Sequence, residues 1–134
     1  MFLDKHLLKQ ISDAGIETFL MRGNRDFLLG EAFCSRTGCQ LLEEPHFLNE
    51  GELRALLLHG DSLCTDDIEH QKFRKMVRSL DWQRTFLDKS IFDRNQLALQ
   101  VRYRSEQGKS IKSMDIMDVN DQAITDELDK AAVH

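Results

Sequence analysis

The start of the chain shows a helical pattern of apolar residues followed by an extended one. Leucine and isoleucine recur every three or four positions over residues 4–14, which predicts an amphipathic helix, and Gly15 is placed to end it. The apolar run over residues 16–21 predicts a strand. Because a helix, a glycine turn and a strand make half of a parallel α/β repeat, we expect an α/β fold.

Shorter elements are predicted next along the chain. They are a helix over residues 27–37, extended segments over residues 39–42 and 46–48, and a strand over residues 53–58. Gly38 is placed to end the helix, and the pair Glu50-Gly51 predicts a turn into the strand. This part of the chain therefore mixes helices with strands.

Beyond these elements the pattern is helical, and no further strand is predicted. Apolar residues keep helical spacing on a basic background over residues 68–101, with breaks expected near Asp81 and Gly108. A final helix is predicted over residues 117–130, with Asn120 as its N-cap. The predicted segments are a partial α/β core at 1–66, a helical cap at 67–113 and a return helix at 114–134.

Two of the predicted strands end at a glycine with polar neighbours. The first is followed by Asn24, Arg25 and Asp26, and the second by His59 and Asp61. Ligands bind at the carboxyl ends of strands in open α/β sheets. These side chains offer an amide oxygen, an imidazole and carboxylates to a metal ion, and a guanidinium to a phosphate. If the two strand ends lie side by side, they form one site.

Each of these residues also has a purely structural interpretation. His59 is consistent with a hydrogen-bonded loop histidine, and Asn24 with a turn residue that has a left-handed backbone. Arg25 is consistent with a surface ion pair to Asp26, and Asp61 with an anchor for its own turn. Taken one at a time, the residues leave both interpretations open.

Composition and cysteine spacing limit the class of protein. With 134 residues, 41% of them hydrophobic and 31% charged, the chain has the size of one ordinary globular domain. No apolar run approaches the roughly 18 residues of a membrane span, and the N-terminus lacks a signal-peptide layout, so we expect a cytoplasmic protein. Cys34, Cys39 and Cys64 show no CxxC spacing, which predicts buried reduced thiols.

The charge is distributed unevenly along the chain. Over residues 70–113, eleven Lys or Arg stand against four acids, a local charge of +7 in a chain of net charge -5. Such a segment suggests an anionic partner, such as a phosphate group or an acidic membrane surface. A solvated helix face with ion pairs explains the pattern equally well. Trp82 and Tyr103 are isolated, so no aromatic platform for nucleic acid is predicted.

Three motifs carry a family resemblance. They are MRGNRDFLLG at residues 21–30, LLLHGDSLCTDD at residues 56–67 and KSMDIMDVN at residues 112–120. Together they resemble the calcineurin-like metallophosphoesterases, and closely the branch of that family that acts in lipid A biosynthesis. The resemblance runs along almost the whole chain. It implies part of a metallophosphoesterase α/β sandwich with a helical cap.

The resemblance also implies an activity and the residues that serve it. The implied reaction is manganese-dependent hydrolysis of the pyrophosphate bond of UDP-2,3-diacylglucosamine, giving UMP and 2,3-diacylglucosamine 1-phosphate. It would take place at the cytoplasmic face of the inner membrane, with the protein bound peripherally. Asn24 and His59 would be ligands of a dinuclear manganese centre. The implied substrate-binding residues are Asn24, Arg25, Asp67, Ser105, Lys109 and Lys112.

Other motifs of that family are missing from this sequence. The family begins with strands that end in D-x-H and in G-D, and it closes with G-H-x-H. We therefore expect a central fragment that lacks most of the metal ligands and is inactive alone. The competing hypothesis is a non-catalytic basic helical module that binds anionic lipid or nucleic acid, with affinity that falls steeply as salt rises.

Overall fold

The computed structural model describes residues 4–132, except for the side chains of residues 109, 110 and 132. The chain divides into two compact units, Met1–Asp61 with Leu128–His134, and Ser62–Glu127. The helices are α1 Lys5–Asp13, α2 Glu31–Thr37, α3 Ile68–Val77, α4 Leu80–Leu87, α5 Ile91–Ile111, α6 Met114–Met117 and α7 Asp121–Ala132. The strands are β1 Phe19–Met21, β2 Gln40–Leu42, β3 His46–Glu50 and β4 Leu53–Leu57. In this described part, no helix combines the length and apolar character that a membrane crossing needs.

The first unit opens with helix α1, which confirms the predicted first helix. Asp4 is its N-cap, and its carboxylate accepts hydrogen bonds from the N–H groups of His6 and Leu7 at 2.8 and 3.4 Å. Gly15, with φ 81°, then turns the chain in a conformation that favours glycine. The predicted strand over residues 16–21 is too long, because β2 supplies pairing partners only for the three residues of β1.

Strands β1 and β2 run parallel and pair from Phe19 with Gln40 to Met21 with Leu42. Helix α2 forms the crossover between them and is shorter than predicted, since residues 27 and 28 form a turn and the extended Gly30 is the N-cap of the helix. Gly38 ends the helix in the left-handed conformation, with φ 75°. Because the strands are parallel, the loops that follow them leave the sheet at the same edge.

Strands β3 and β4 form a separate antiparallel hairpin. The two extended segments and the turn at Glu50-Gly51 were predicted, whereas their pairing with each other was not. Gly51 has φ 60° in the turn between them. The register pairs His46 with Leu57, so the start of β3 lies beside the end of β4. This pairing brings the residues before β3 close to the residues after β4, although about a dozen positions separate them in sequence.

The second unit is helical in its described residues. Asp67, Ser79 and Ser90 are the N-caps of α3, α4 and α5, and each accepts a hydrogen bond from a backbone N–H three residues ahead. The break expected near Asp81 occurs just before α4. The break predicted at Gly108 is wrong, because α5 continues to Ile111. One glycine costs a helix only about 1 kcal/mol, which the rest of a long helix outweighs.

The last helix confirms its predicted cap but not its predicted start. The Asn120 side-chain oxygen accepts a hydrogen bond from the Ala123 N–H at 3.1 Å, so α7 begins at Asp121 and the residues before it form α6 separately. Asn120 also donates from its side chain to Asp66 at 2.9 Å and from its backbone N–H to the Leu63 carbonyl at 2.9 Å. The start of α7 is therefore tied to the loop that precedes α3.

Burial is sparse among the described residues. The fully buried hydrophobic residues there are Cys39 and Val77. All three cysteines are free thiols, as predicted, but Cys34 and Cys64 are half-buried instead of buried. Helices combined with a parallel and an antiparallel pair of strands agree with the predicted α/β class. The three predicted segments and the metallophosphoesterase sandwich stay predictions, and residues 133 and 134 of the last segment lie outside the described range.

Candidate functional site

The loops that follow β1, β2 and β4 come together in the first unit. Arg22, after β1, donates from its guanidinium to the carboxylate of Glu43, after β2, at 2.8 Å. Glu44, the next residue, accepts hydrogen bonds from the backbone N–H groups of His59 and Gly60, after β4, at 3.0 and 3.3 Å. The two predicted strand ends are thus connected through the loop of a third strand.

The side chain of His59 lies against Gly23. A Cβ atom at position 23 would stand 3.0 Å or less from the Nε2, Cδ2 and Cε1 atoms of the imidazole. Gly23 itself is buried, with the ring covering it. The condition for a single site, that the end of β1 and the end of β4 lie side by side, is met at the level of these two residues, although the strands belong to different sheets.

Asn24 and Arg25 are exposed beside this contact and make no hydrogen bond or ion pair with the residues that the structure describes. The ion pair between Arg25 and Asp26 that the sequence allowed is not formed in the described part of the structure, where the Asp26 carboxylate accepts a hydrogen bond from the Gly23 N–H. Asn24 lies at a bend, but it does not have a left-handed backbone, since no described residue except glycine has a positive φ. Both side chains are open to a ligand.

His59 combines an accessible ring with a buried acidic neighbour. Its side chain is 36% exposed, and its Nδ1 atom lies 3.6 Å from Oδ1 of Asp61, whose side chain is only 3% exposed. That separation is too long for a hydrogen bond but suits an ionic contact when the imidazole is protonated. A carboxylate on the Nδ1 side leaves Nε2 as the nitrogen on the side of Gly23 and Asn24.

The donor atoms of this cluster suit a divalent first-row metal as part of a site. A neutral imidazole and an amide oxygen are acceptable ligands for such an ion, and the absence of a side chain at Gly23 lets the ring occupy its position. Among the side chains that the structure describes, no three His, Cys, Asp or Glu residues come together as a possible metal-binding group. The predicted ligands Asn24 and His59 thus have donor atoms that suit two of the ligand positions in a metal site.

A second polar cluster lies in the helical unit, at the start of α3. The buried Asp67 carboxylate accepts from the Lys112 ammonium at 2.6 Å and from the His70 N–H at 3.0 Å. The Lys112 ammonium also lies 3.3 Å from the exposed Glu69 carboxylate. Two of the predicted substrate-binding residues are thus brought together, although they are 45 positions apart.

The ion pair shifts the pKa values of both Asp67 and Lys112. Burial raises the pKa of Asp67, but hydrogen bonds from Lys112 and from the His70 N–H, together with nearby positive charge, outweigh burial and hold that pKa below its ordinary value of 3.8. The hydrogen bond to Asp67 raises the pKa of Lys112 above its ordinary 10.5. Both groups are therefore charged throughout the neutral range.

The remaining predicted substrate-binding residues lie on α5. Ser105 is exposed there, and its hydroxyl makes no hydrogen bond with the described residues. Lys109 is also within α5, but its side chain lies outside the described part of the structure. The predicted site residues therefore fall into one group in each unit, with Asn24, Arg25 and His59 in the first and Asp67, Ser105, Lys109 and Lys112 in the second.

Sequence reasoning missed Glu44, which holds the turn that carries His59. A signal was present, because Glu43 and Glu44 directly follow a predicted extended segment, and the same strand-end argument that selected Asn24 applies to them. It also missed that Gly23 must lack a side chain, which only the position of the His59 ring reveals.

Comparison with known proteins identifies relatives that share one name. The chain is 46% identical over 121 residues to the UDP-2,3-diacylglucosamine hydrolase of Haemophilus ducreyi, covering 90% of this chain and 51% of that protein. It is 48% identical over 118 residues to the protein of that name from Bordetella pertussis, with 88% and 46% covered. For the Haemophilus influenzae protein the identity is 38% over 130 residues, with 97% and 55% covered.

The chain spans about half the length of the curated relatives it matches. No family model matches it. The close resemblance predicted from the three motifs is confirmed by these relatives, which align with nearly all of this chain.

Proposed function

We propose that this chain belongs among the UDP-2,3-diacylglucosamine hydrolases and that it supplies part of an active site for UDP-2,3-diacylglucosamine. The reaction would be hydrolysis of the pyrophosphate bond, which gives UMP and 2,3-diacylglucosamine 1-phosphate. The observation that carries this proposal is the contact between His59 and Gly23, which places an imidazole beside two exposed side chains with no described partner, Asn24 and Arg25.

The three residues would have different roles. Asn24, through its amide oxygen, and His59, through Nε2, would help to hold manganese. When bound, manganese would supply an activated water and neutralise negative charge on the phosphate. Arg25 has no lone pair to offer a metal, and its guanidinium presents a fork of donors that matches phosphate oxygens, so it would bind and orient the diphosphate.

The helical unit would contribute further contacts with the substrate. Lys112 would carry positive charge toward the diphosphate, with Asp67 holding its ammonium in place. Ser105 and Lys109 would add polar contacts from α5. Large apolar side chains are exposed in the same unit, such as Ile111 at 86% and Met114 at 78%, and they would suit acyl chains or the cytoplasmic face of the inner membrane.

We also propose a fold that is more specific than the α/β class. The α/β elements of the first unit would form part of a metallophosphoesterase sandwich, and the helices of the second would form its cap. Support comes from the names of the relatives and from the parallel pairing of β1 with β2 across helix α2. The protein would act in the cytoplasm, bound peripherally to the membrane.

A chimaera tests the proposed function. In it, this chain replaces the aligned half of the Haemophilus ducreyi relative, and manganese-dependent release of UMP from UDP-2,3-diacylglucosamine is measured. We expect release from the chimaera and a loss of at least about 100-fold in His59→Ala, since a metal ligand supports several kcal/mol of transition-state stabilisation. His6→Ala, an exposed histidine on α1, is the matched control and should keep full activity. A folded chimaera that released no UMP, or a fully active His59→Ala, would refute the proposal.

A further inference from the structure

We propose that Glu44 is a positioning residue for His59, and that Gly23 provides the space in which the His59 ring is held. The inference deepens the proposed function, on which it rests only for the role of His59 as a metal ligand. The contacts that carry it are those of the first unit alone.

Glu44 fixes the backbone that carries the imidazole. Its Oε1 atom accepts hydrogen bonds from the N–H groups of His59 and Gly60. Both residues lie just beyond the end of β4. A carboxylate that accepts two backbone N–H groups forms charge-assisted bonds that are stronger than neutral ones. The pairing of His46 with Leu57 brings Glu44 within reach of this turn.

Once the backbone is fixed, few ring positions remain. Gly60 continues the turn with φ 91°, a conformation that favours glycine, and leads into the buried Asp61. Side chains occupy a small number of staggered rotamers on a fixed backbone. In the rotamer seen here, Nδ1 of His59 faces Asp61 at 3.6 Å and the opposite edge of the ring faces Gly23.

Gly23 provides the space that the His59 ring occupies. Any side chain there would overlap the imidazole, because a Cβ would approach three ring atoms to 3.0 Å or less. The Gly23 backbone cannot easily retreat, since its N–H donates to the Asp26 carboxylate in the same loop. A side chain at position 23 would therefore displace the ring from the position seen here.

The sequence offers a matched control for Glu44 at the adjacent position. Glu43 carries the same charge and also joins two loops, but it pairs with the Arg22 side chain and its own side chain is 79% exposed. Glu43→Ala therefore removes one carboxylate from the same loop without touching the turn at His59. Glu44→Gln is the conservative variant, because a glutamine carbonyl oxygen still accepts both backbone hydrogen bonds.

Amide hydrogen exchange in the 134-residue chain, followed by NMR, tests the hydrogen bonds directly. We expect protection of the amides of His59 and Gly60 to fall about tenfold or more in Glu44→Ala, the factor that one lost hydrogen bond produces. Glu44→Gln should recover most of the protection, and Glu43→Ala should keep all of it. Unprotected amides at both positions in the unsubstituted chain, or an equal loss in Glu43→Ala, would overturn the inference.

Manganese alone, added to the same samples, tests the effect on the ring. The paramagnetic ion should broaden the imidazole signals of His59, and Glu44→Ala should need about 10- to 100-fold more manganese for the same broadening, the usual cost of losing an outer-shell support. Unchanged manganese dependence in Glu44→Ala, beside lost amide protection, would overturn the positioning role. No broadening of His59 in any sample, with the ring signals shifted only in Glu44→Ala, would support positioning and count against the proposed function.

A pair of glycine substitutions tests the space beside the ring. Gly23→Ala should shift the imidazole signals of His59 and weaken manganese broadening about tenfold or more. Gly30→Ala is the control, because a Cβ there would meet nothing within 4 Å and its φ of -144° suits any residue. Imidazole signals that stay in place in Gly23→Ala would overturn this part of the inference.

Discussion

The ion pair between Asp67 and Lys112 allows a prediction with a magnitude. Lys112→Met removes the ammonium but keeps most of the side-chain length. A hydrogen bond between charged groups contributes about 1.5–3 kcal/mol when buried. Here the side chains are 12% and 22% exposed, so we discount the figure for solvent screening to about 1–2 kcal/mol of unfolding free energy.

The two roles of Asp67 can be separated by comparing variants. Asp67→Asn removes the charge but keeps a side chain that caps α3 well, so we expect a loss of about 1–2 kcal/mol. Asp67→Ala removes the cap as well and should cost about 1 kcal/mol more. Glu69→Gln is the control, because its carboxylate is 82% exposed and should contribute less than about 0.5 kcal/mol.

Urea unfolding followed by the fluorescence of Trp82, the single tryptophan, measures these differences within the helical unit. The pKa of Asp67 is lowered, so its contribution is present above pH 3.8 and disappears as pH falls through the lowered pKa. The pKa of Lys112 is raised, so its contribution is present below pH 10.5 and disappears as pH rises through the raised pKa. The difference between Lys112→Met and the unsubstituted chain should therefore stay constant between these limits.

Two results would refute this reasoning. One is a loss of less than about 0.3 kcal/mol in both Lys112→Met and Asp67→Asn, which would place the pair among surface ion pairs of no consequence. The other is an Asp67→Ala variant no less stable than Asp67→Asn, which would mean that the bond to the His70 N–H does not cap α3.

Three further predictions concern the site, the first unit and the basic helices. In the chimaera, Arg25→Ala should keep its manganese, measured by elemental analysis, while turnover falls about 10²- to 10³-fold. Asn24→Ala should lose both manganese and turnover. Loss of manganese from Arg25→Ala alone would reverse these roles. Gly38→Ala should destabilise the chain by at least about 1 kcal/mol, because φ is 75° and a Cβ would overlap Ser12. Gly108→Ala should stabilise it by up to about 1 kcal/mol, because a Cβ there would meet nothing within 4 Å. Equal melting temperatures of the two variants would contradict this. Binding to anionic vesicles and to single-stranded DNA can be measured across a salt series without manganese. Only a basic binding module should bind both, with affinity that falls steeply as salt rises, so this measurement separates the module from the proposed enzyme.

Local pattern was enough to predict most elements of this chain. Helix α1, strands β3 and β4 and the Asn120 cap depend on side-chain spacing and on residues adjacent in sequence, and they are where the pattern predicted them. The motifs were likewise sufficient to identify the relatives, because these motifs are contiguous. Two errors have different causes. Strand β1 is shorter than predicted because the distant β2 offers only three partners, and α5 continues past Gly108 because the surrounding helix outweighs one glycine.

Only the tertiary structure determined how the polar residues meet. Asn24, Arg25 and His59 were selected from the sequence because strand ends are places where ligands bind, but the spacing alone left a surface ion pair for Arg25 equally acceptable. In the described residues this ion pair is not formed, and the Asp26 carboxylate accepts a hydrogen bond from the Gly23 N–H. The support of His59 by Glu44 and the pairing of Asp67 with Lys112 join residues 15 and 45 positions apart, and contacts over such distances arise from strand register and helix packing, which no local pattern records.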